Sequence, residues 1–194
     1  MLSACSESGT PVPGGAPETT TTDATPPTTT SSAQDDRFGA PDVESPLDAA
    51  KQLDDPCTSL TSSQVSGLGL REPAIPGDKS SFDDLGPYCS WRDTANEVDF
   101  TVAYIVPNQN GLADLYRGQE TGQWAYWEPT TVNGYPGVFQ AAADQRQRGQ
   151  CTVSVGVNDE LHFSVTSRRG DPDKACDQVK DIASAVVDTL KGGG

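Results

Sequence analysis

Val98-Asp99-Phe100-Thr101-Val102-Ala103-Tyr104-Ile105-Val106 alternates large apolar side chains with small or polar ones for most of its length. Successive residues of a strand point to opposite faces, so a period of two marks a strand that buries one face and leaves the other in water. One-sided burial of this kind belongs to antiparallel sheets. Upstream, Tyr88-Cys89-Ser90-Trp91-Arg92 reads as a shorter strand. Downstream, Cys151 to Val157 and Leu161 to Thr166 read as two strands joined at Asn158-Asp159, a tight-turn signal without the glycine a primed turn prefers. Between these blocks, Asn110 to Tyr116 fits one or two helical turns. Trp124-Ala125-Tyr126-Trp127 is an aromatic segment, and Val132 to Phe139 reads as two short extended pieces around a turn.

Helix signals flank the strands. Asp55-Pro56-Cys57 places an acid at a cap and a proline at the first helical position, where its missing N–H costs nothing. Thr61-Ser62-Ser63-Gln64 fits a capping box and leads through Val65 and Leu68 to Gly69, which predicts a short, broken helix. Residues 71–87 hold Pro73, Pro76, Gly77, Gly86 and Pro87 and are expected to form an irregular loop. From Asp171-Pro172, helical spacing of Ala175, Val179, Ile182, Ala183, Val186 and Leu190 predicts a closing amphipathic helix that stops at Gly192. The expected class is α+β: an antiparallel β-sheet with an N-terminal capped helix and a C-terminal amphipathic helix.

Residues 55–191 contain all three Trp, all five Tyr and four of the five Phe. A domain of that length buries about two-thirds of its unfolded surface around one core. No apolar run reaches the roughly 18 residues needed to span a bilayer. The net charge of −15 is shared between residues 6–54 and the rest of the chain, which argues against nucleic acid as a partner and for solubility.

At the start, Leu2-Ser3-Ala4-Cys5 reads as a lipobox, the remnant of a lipoprotein signal (residues 1–5) with Cys5 as the lipidated residue. A signal peptide carries about 7–15 apolar residues before its cleavage site, and only Met1 precedes Leu2, so a reading frame starting further upstream is expected. Residues 6–36 are rich in Thr, Ser and Pro, with Val12 the only large apolar side chain. Nothing there offsets the entropy of ordering, so the segment is expected to be disordered. If the tether covers residues 6–54, its r.m.s. reach is about 35–42 Å.

Setting Cys5 aside leaves Cys57, Cys89, Cys151 and Cys176. Outside the cytoplasm four cysteines read as two disulfides. A zinc site fails on spacing, since no pair is two to four residues apart and His162 is the only histidine, so no metal or cofactor is expected. Three pairings are open. The head of the Cys151 strand lies beside the end of its hairpin partner, where the closing helix begins, which favours Cys151 with Cys176. Cys57 with Cys89 follows by analogy, a capped helix start joined to the head of a strand. The competitor joins Cys57 to Cys176 and Cys89 to Cys151.

Five segments in order carry a family resemblance: Asp55-Pro56-Cys57 with Leu60, Cys89-Ser90-Trp91, Gly134-Tyr135-Pro136-Gly137-Val138, Cys151-Thr152-Val153-Ser154-Val155, and Cys176 in the closing helix. With the lipobox and Thr-rich linker, the chain resembles the actinobacterial envelope lipoproteins that carry domain of unknown function 3558. The resemblance implies an extracytoplasmic lipoprotein of a high-GC Gram-positive organism. It supplies no catalytic or ligand residues.

Signals for chemistry are few. Nucleophilic catalysis needs a base beside the nucleophile. In a strand whose Leu161, Phe163 and Val165 share one face, His162 is expected on the other, in solvent. The acid pairs Asp54-Asp55 and Asp83-Asp84 are candidates for glycoside hydrolysis. Asn158-Asp159-Glu160 and Asp171-Pro172-Asp173 lack the alternation of a calcium loop. Two candidate ligand surfaces remain. Trp124, Tyr126 and Trp127, with Tyr116 near, offer flat faces to a sugar or lipid, or else pack as core. Arg146, Arg148, Arg168 and Arg169 fall at one end of the proposed hairpin, where they suit anionic head groups unless Asp144, Asp171 and Asp173 neutralise them. The expected protein is a non-enzymatic binding or interaction module on the extracytoplasmic face of the cell membrane, anchored by acyl chains on Cys5, whose partner is a wall polymer, a lipid or an envelope protein. The alternative is a cell-wall hydrolase using loop carboxylates.

Overall fold

The computed structural model describes residues 37–77, 85–93 and 98–193. The lipobox, with Cys5, and the Thr/Ser/Pro-rich segment lie outside them. Among the described residues, seven strands form one antiparallel sheet: β1 (Leu70–Pro76), β2 (Tyr88–Asp93), β3 (Asp99–Ile105), β4 (Tyr126–Val132), β5 (Tyr135–Ala141), β6 (Thr152–Gly156) and β7 (His162–Arg168). Four α-helices among the described residues accompany it: α1 (Ala50–Asp54), α2 (Ser62–Gly67), α3 (Ala113–Glu120) and α4 (Ala175–Lys191). The class is α+β, as the alternating strands and capped helices require.

Local chemistry accounts for most boundaries. Asp55 accepts from Cys57 N at 3.1 Å and starts a 3₁₀ turn over Pro56–Ser59. Thr61 and Gln64 form the reciprocal capping box of α2. Gln64 Nε2 also donates to the Ala185 carbonyl, and Gln64 Oε1 accepts from Thr189, so the cap doubles as a tie to α4. Asn133 and Gly134, both at positive φ, join β4 to β5 in the backbone geometry a two-residue hairpin demands.

The irregular loop expected over residues 71–87 is corrected: residues 71–76 belong to β1, paired with β2 through a register irregularity between Arg71 and Ile75. An edge strand needs N–H donors on one side only, so Pro73 is tolerated there. The expected tether is corrected at its end. Residues 37–54 pack on the domain, with Ala40, Val43, Ala49 and Gln52 buried, Leu47 N donating to the Val157 carbonyl and Tyr135 Oη donating to the Ser45 carbonyl.

The strand order is β1-β2-β3-β7-β6-β5-β4. One face carries the main core, including Trp91, Phe100, Tyr104 and Phe163, roofed by α4 through Val179, Ile182, Ala183, Val186 and Leu190. Between β3 and β4 lie three other strands, so the connection through α3 has to cross the sheet. With α4 on the first face, it crosses the second, where Leu112, Ala113 and Leu115 bury against Val138. Gly156 on β6 permits that approach, since a Cβ there would meet Val43 at 2.9 Å and Leu112 at 3.3 Å.

Candidate functional site

The crossing covers only part of the second face. Beside it lies a groove of about 430 Å³ over β2, β3, β7 and the end of β6. Its floor is a row of hydroxyls: Ser90, Thr101, Thr166 and Thr152 are direct cross-strand partners. Ser90 and Thr101 hydroxyls lie 2.9 Å apart, and those of Thr152 and Thr166 3.0 Å apart. A hydroxyl has one proton and two lone pairs, so each pair spends one O–H internally and keeps one for a ligand. Two residues further along β7, on the same face, stands Arg168, the groove's charged residue among the described ones. Its cross-strand partner Asp99 is held by Arg92 at 3.0 Å. Toward the other end the lining is mostly apolar, with Tyr88, Ala103, Ile105 and Leu85, and with Ser164 there bonded to the Ser154 hydroxyl at 2.6 Å.

Sequence reasoning missed this site. Its signal was present in the small hydroxyl residues alternating with core residues on β2, β3, β6 and β7, which read only as the outward half of each strand.

A second depression, about 500 Å³, lies between residues 41–45 and the β4–β5 hairpin. Several of its polar groups are committed: Asp42 to Arg37 at 3.0 Å, Lys191 Nζ to the Asn133 carbonyl at 2.7 Å, and Asn133 Nδ2 to the Ser184 carbonyl and Asp188. The Asn133 and Lys191 bonds fasten the hairpin to α4.

The candidate aromatic platform divides. Trp124 and Trp127 pack with Tyr116 on the α3 side, Trp124 Nε1 donating to the Leu115 carbonyl and Tyr116 meeting Trp127 edge-on. Tyr126 packs on the α4 side. Strand alternation puts neighbours on opposite faces, so these rings do not form one surface.

The arginines do share one end of the sheet, since Gly170 N donates to the Gly149 carbonyl. Asp144 grips Arg146 with both carboxylate oxygens, at 2.9 and 2.7 Å, and that hydrogen-bonded pair holds the Asp144 carboxyl down at about 2. Arg146 also lies over the Tyr126 ring at 3.6 Å, and burial with the adjacent Glu128 pushes the Tyr126 phenol up to about 12. Arg148, Arg168 and Arg169 are exposed. Only Arg168 lines the groove.

The solvent-facing His162 is corrected: it is 1% exposed, beneath the connection that crosses the second face. Nδ1 lies 3.0 Å from the Gly111 carbonyl and therefore carries the proton. Burial, against the pull of that carbonyl and of Asp114, lowers the imidazole to about 4. Among the acids weighed for hydrolysis, Asp55 is a helix cap, while Asp83 and Asp84 lie outside the described residues. Asp159 binds Arg37 and Val43 N, and Asn158 caps its own turn.

The disulfides are Cys57–Cys89 and Cys151–Cys176, with Cα separations of 5.1 and 5.2 Å. A family model described as protein of unknown function (DUF3558) matches residues 1–189. The chain belongs to the DUF3558 family. No curated protein and no solved structure gives a match. In this DUF3558 domain, no helix among the described residues is long and apolar enough to cross a membrane.

Proposed function

We propose that this DUF3558 protein is a lipid-anchored binding module on the extracytoplasmic face of the membrane, with the hydroxyl-floored groove as its ligand face. The observation that carries the binding reading is the Ser90-Thr101-Thr166-Thr152 row, which leaves hydroxyl donors open on a sheet face while the neighbouring strands are roofed. Two disulfides support an oxidising compartment. The Leu2-Ser3-Ala4-Cys5 motif supports the anchor. Two acyl chains hold a protein stably on a membrane where one does not.

Two measurements test the reading. Expressed behind a complete secretion signal, the native chain is expected in the membrane fraction and Cys5→Ala in the soluble fraction; retention of Cys5→Ala on membranes refutes the anchor. Hydrogen–deuterium exchange of the full chain with solubilised envelope lipid and wall fractions is expected to show protection along residues 88–93, 99–105 and 162–168. Protection confined to other segments refutes the ligand face.

A further inference from the structure

We infer that the groove takes a single-chain amphiphile with an anionic head group; this rests on the binding-module reading and specifies its ligand. Three observations meet at one place. First, the polar corner offers donors: the Arg168 guanidinium and one unspent O–H from each of the Ser90–Thr101 and Thr152–Thr166 pairs. Such a corner suits an acceptor-rich carboxylate or phosphate. Among the described lining residues there is no Asp, Glu, Asn or Gln to accept from the many hydroxyls of a glycan.

Second, charge is complementary there in a chain whose net charge is −15. Asp99, across from Arg168, is neutralised by Arg92, which leaves Arg168 to face an incoming anion.

Third, away from Arg168 the lining is mostly apolar, Ser164 and Tyr88 apart, with exposed apolar side chains at its margin. Ile75 and Leu85 are two of the four exposed large hydrophobic residues among those described, at 61% and 41%. Ile75 is the cross-strand partner of Ser90 and so shares the groove's face. Leu85 lines the groove itself. Clustered exposed apolar side chains mark a place where apolar matter binds. From Arg168 to the His162–Ile105 rung the strands run about 20 Å. That length accommodates a head group and a tail as long as one bilayer leaflet, about 15 Å.

The test is calorimetric titration of the full, unacylated chain with disulfides intact, keeping each amphiphile below micelle formation. Palmitate is expected to bind at one site; dodecyl maltoside, with a shorter tail and an uncharged head, is expected to bind the same site more weakly, and the head-group contact is read from the Arg168 variants. Arg168→Ala is expected to weaken palmitate about tenfold, the loss of a charge-assisted contact, and to leave dodecyl maltoside unchanged. Arg168→Lys should recover most of the loss. Ile75→Ser with Leu85→Ser is expected to weaken both ligands; these positions are exposed, so the variants should keep the native unfolding midpoint. Absence of palmitate binding overturns the inference, as does palmitate binding that none of these variants changes. Wall fragments that protect the groove strands while palmitate fails to bind would refute the amphiphile and leave the binding face standing.

Discussion

At the residue scale, His162 is buried with its Nδ1 proton on the Gly111 carbonyl, so the fold holds the imidazole neutral. Unfolded, the group titrates near its ordinary 6.5, and folded, near 4. Between those values the unfolded chain binds a proton that the folded chain refuses. The His162 contribution is therefore complete above about pH 6.5, declines as pH falls, and levels off below about pH 4. A shift of this size corresponds to about 3 kcal/mol. His162→Gln keeps a donor for Gly111 and removes the titration. Urea midpoints taken at about pH 7.5 and pH 4.5 should fall further for the native chain than for the variant. Equal falls would mean that the imidazole already binds its proton in the fold.

At the element scale, each disulfide ties a helical start to a strand. Cys57 in the 3₁₀ turn joins Cys89 on β2, and Cys176 in the first turn of α4 joins Cys151 beside β6. The closed loops of 32 and 25 residues each stabilise by about 3–4 kcal/mol on the chain-entropy model. Cys151→Ala with Cys176→Ala should lower the guanidinium unfolding free energy by about that amount and leave the far-ultraviolet spectrum helical and sheet-like. A loss under about 1 kcal/mol would show that the sheet and α4 dock without the bridge. Non-reducing peptide mapping should recover the two linked pairs and no fragment joining Cys57 to Cys176. Propensity and pattern foretold these elements well where they are local, as in the Thr61–Gln64 capping box and the β3 alternation. They failed at β1, whose prolines read as a loop because an edge position is a property of the sheet and not of the segment.

At the scale of the whole molecule, residues 37–54 belong to the folded domain. Val43 and Ala49 are buried in the main core, and Leu47 and Ser45 bond to Val157 and Tyr135. A chain starting at Asp55 should therefore melt below one starting at Arg37 by on the order of 5–10 °C, given about 3 kcal/mol of lost apolar burial. Limited proteolysis should leave a resistant fragment that begins at or before Arg37. A fragment trimmed to Asp55 with an unchanged melting temperature would contradict this packing.

The sequence by itself determined what depends on neighbours along the chain: the period-two strands, the capped helical starts, the amphipathic face of α4 and the α+β class. Cysteine positions at the heads of those elements made one disulfide legible and the other an analogy. Tertiary structure alone decided what depends on strand order. Because β7, β6 and β5 sit between β3 and β4, the α3 connection crosses the second face, which buries His162, covers Trp124 and Trp127 and leaves the hydroxyl row open beside it. The physical reason is that side-chain periodicity shows only that a strand has two faces, whereas the path of a distant connection settles whether the second face meets water, a ligand or more protein.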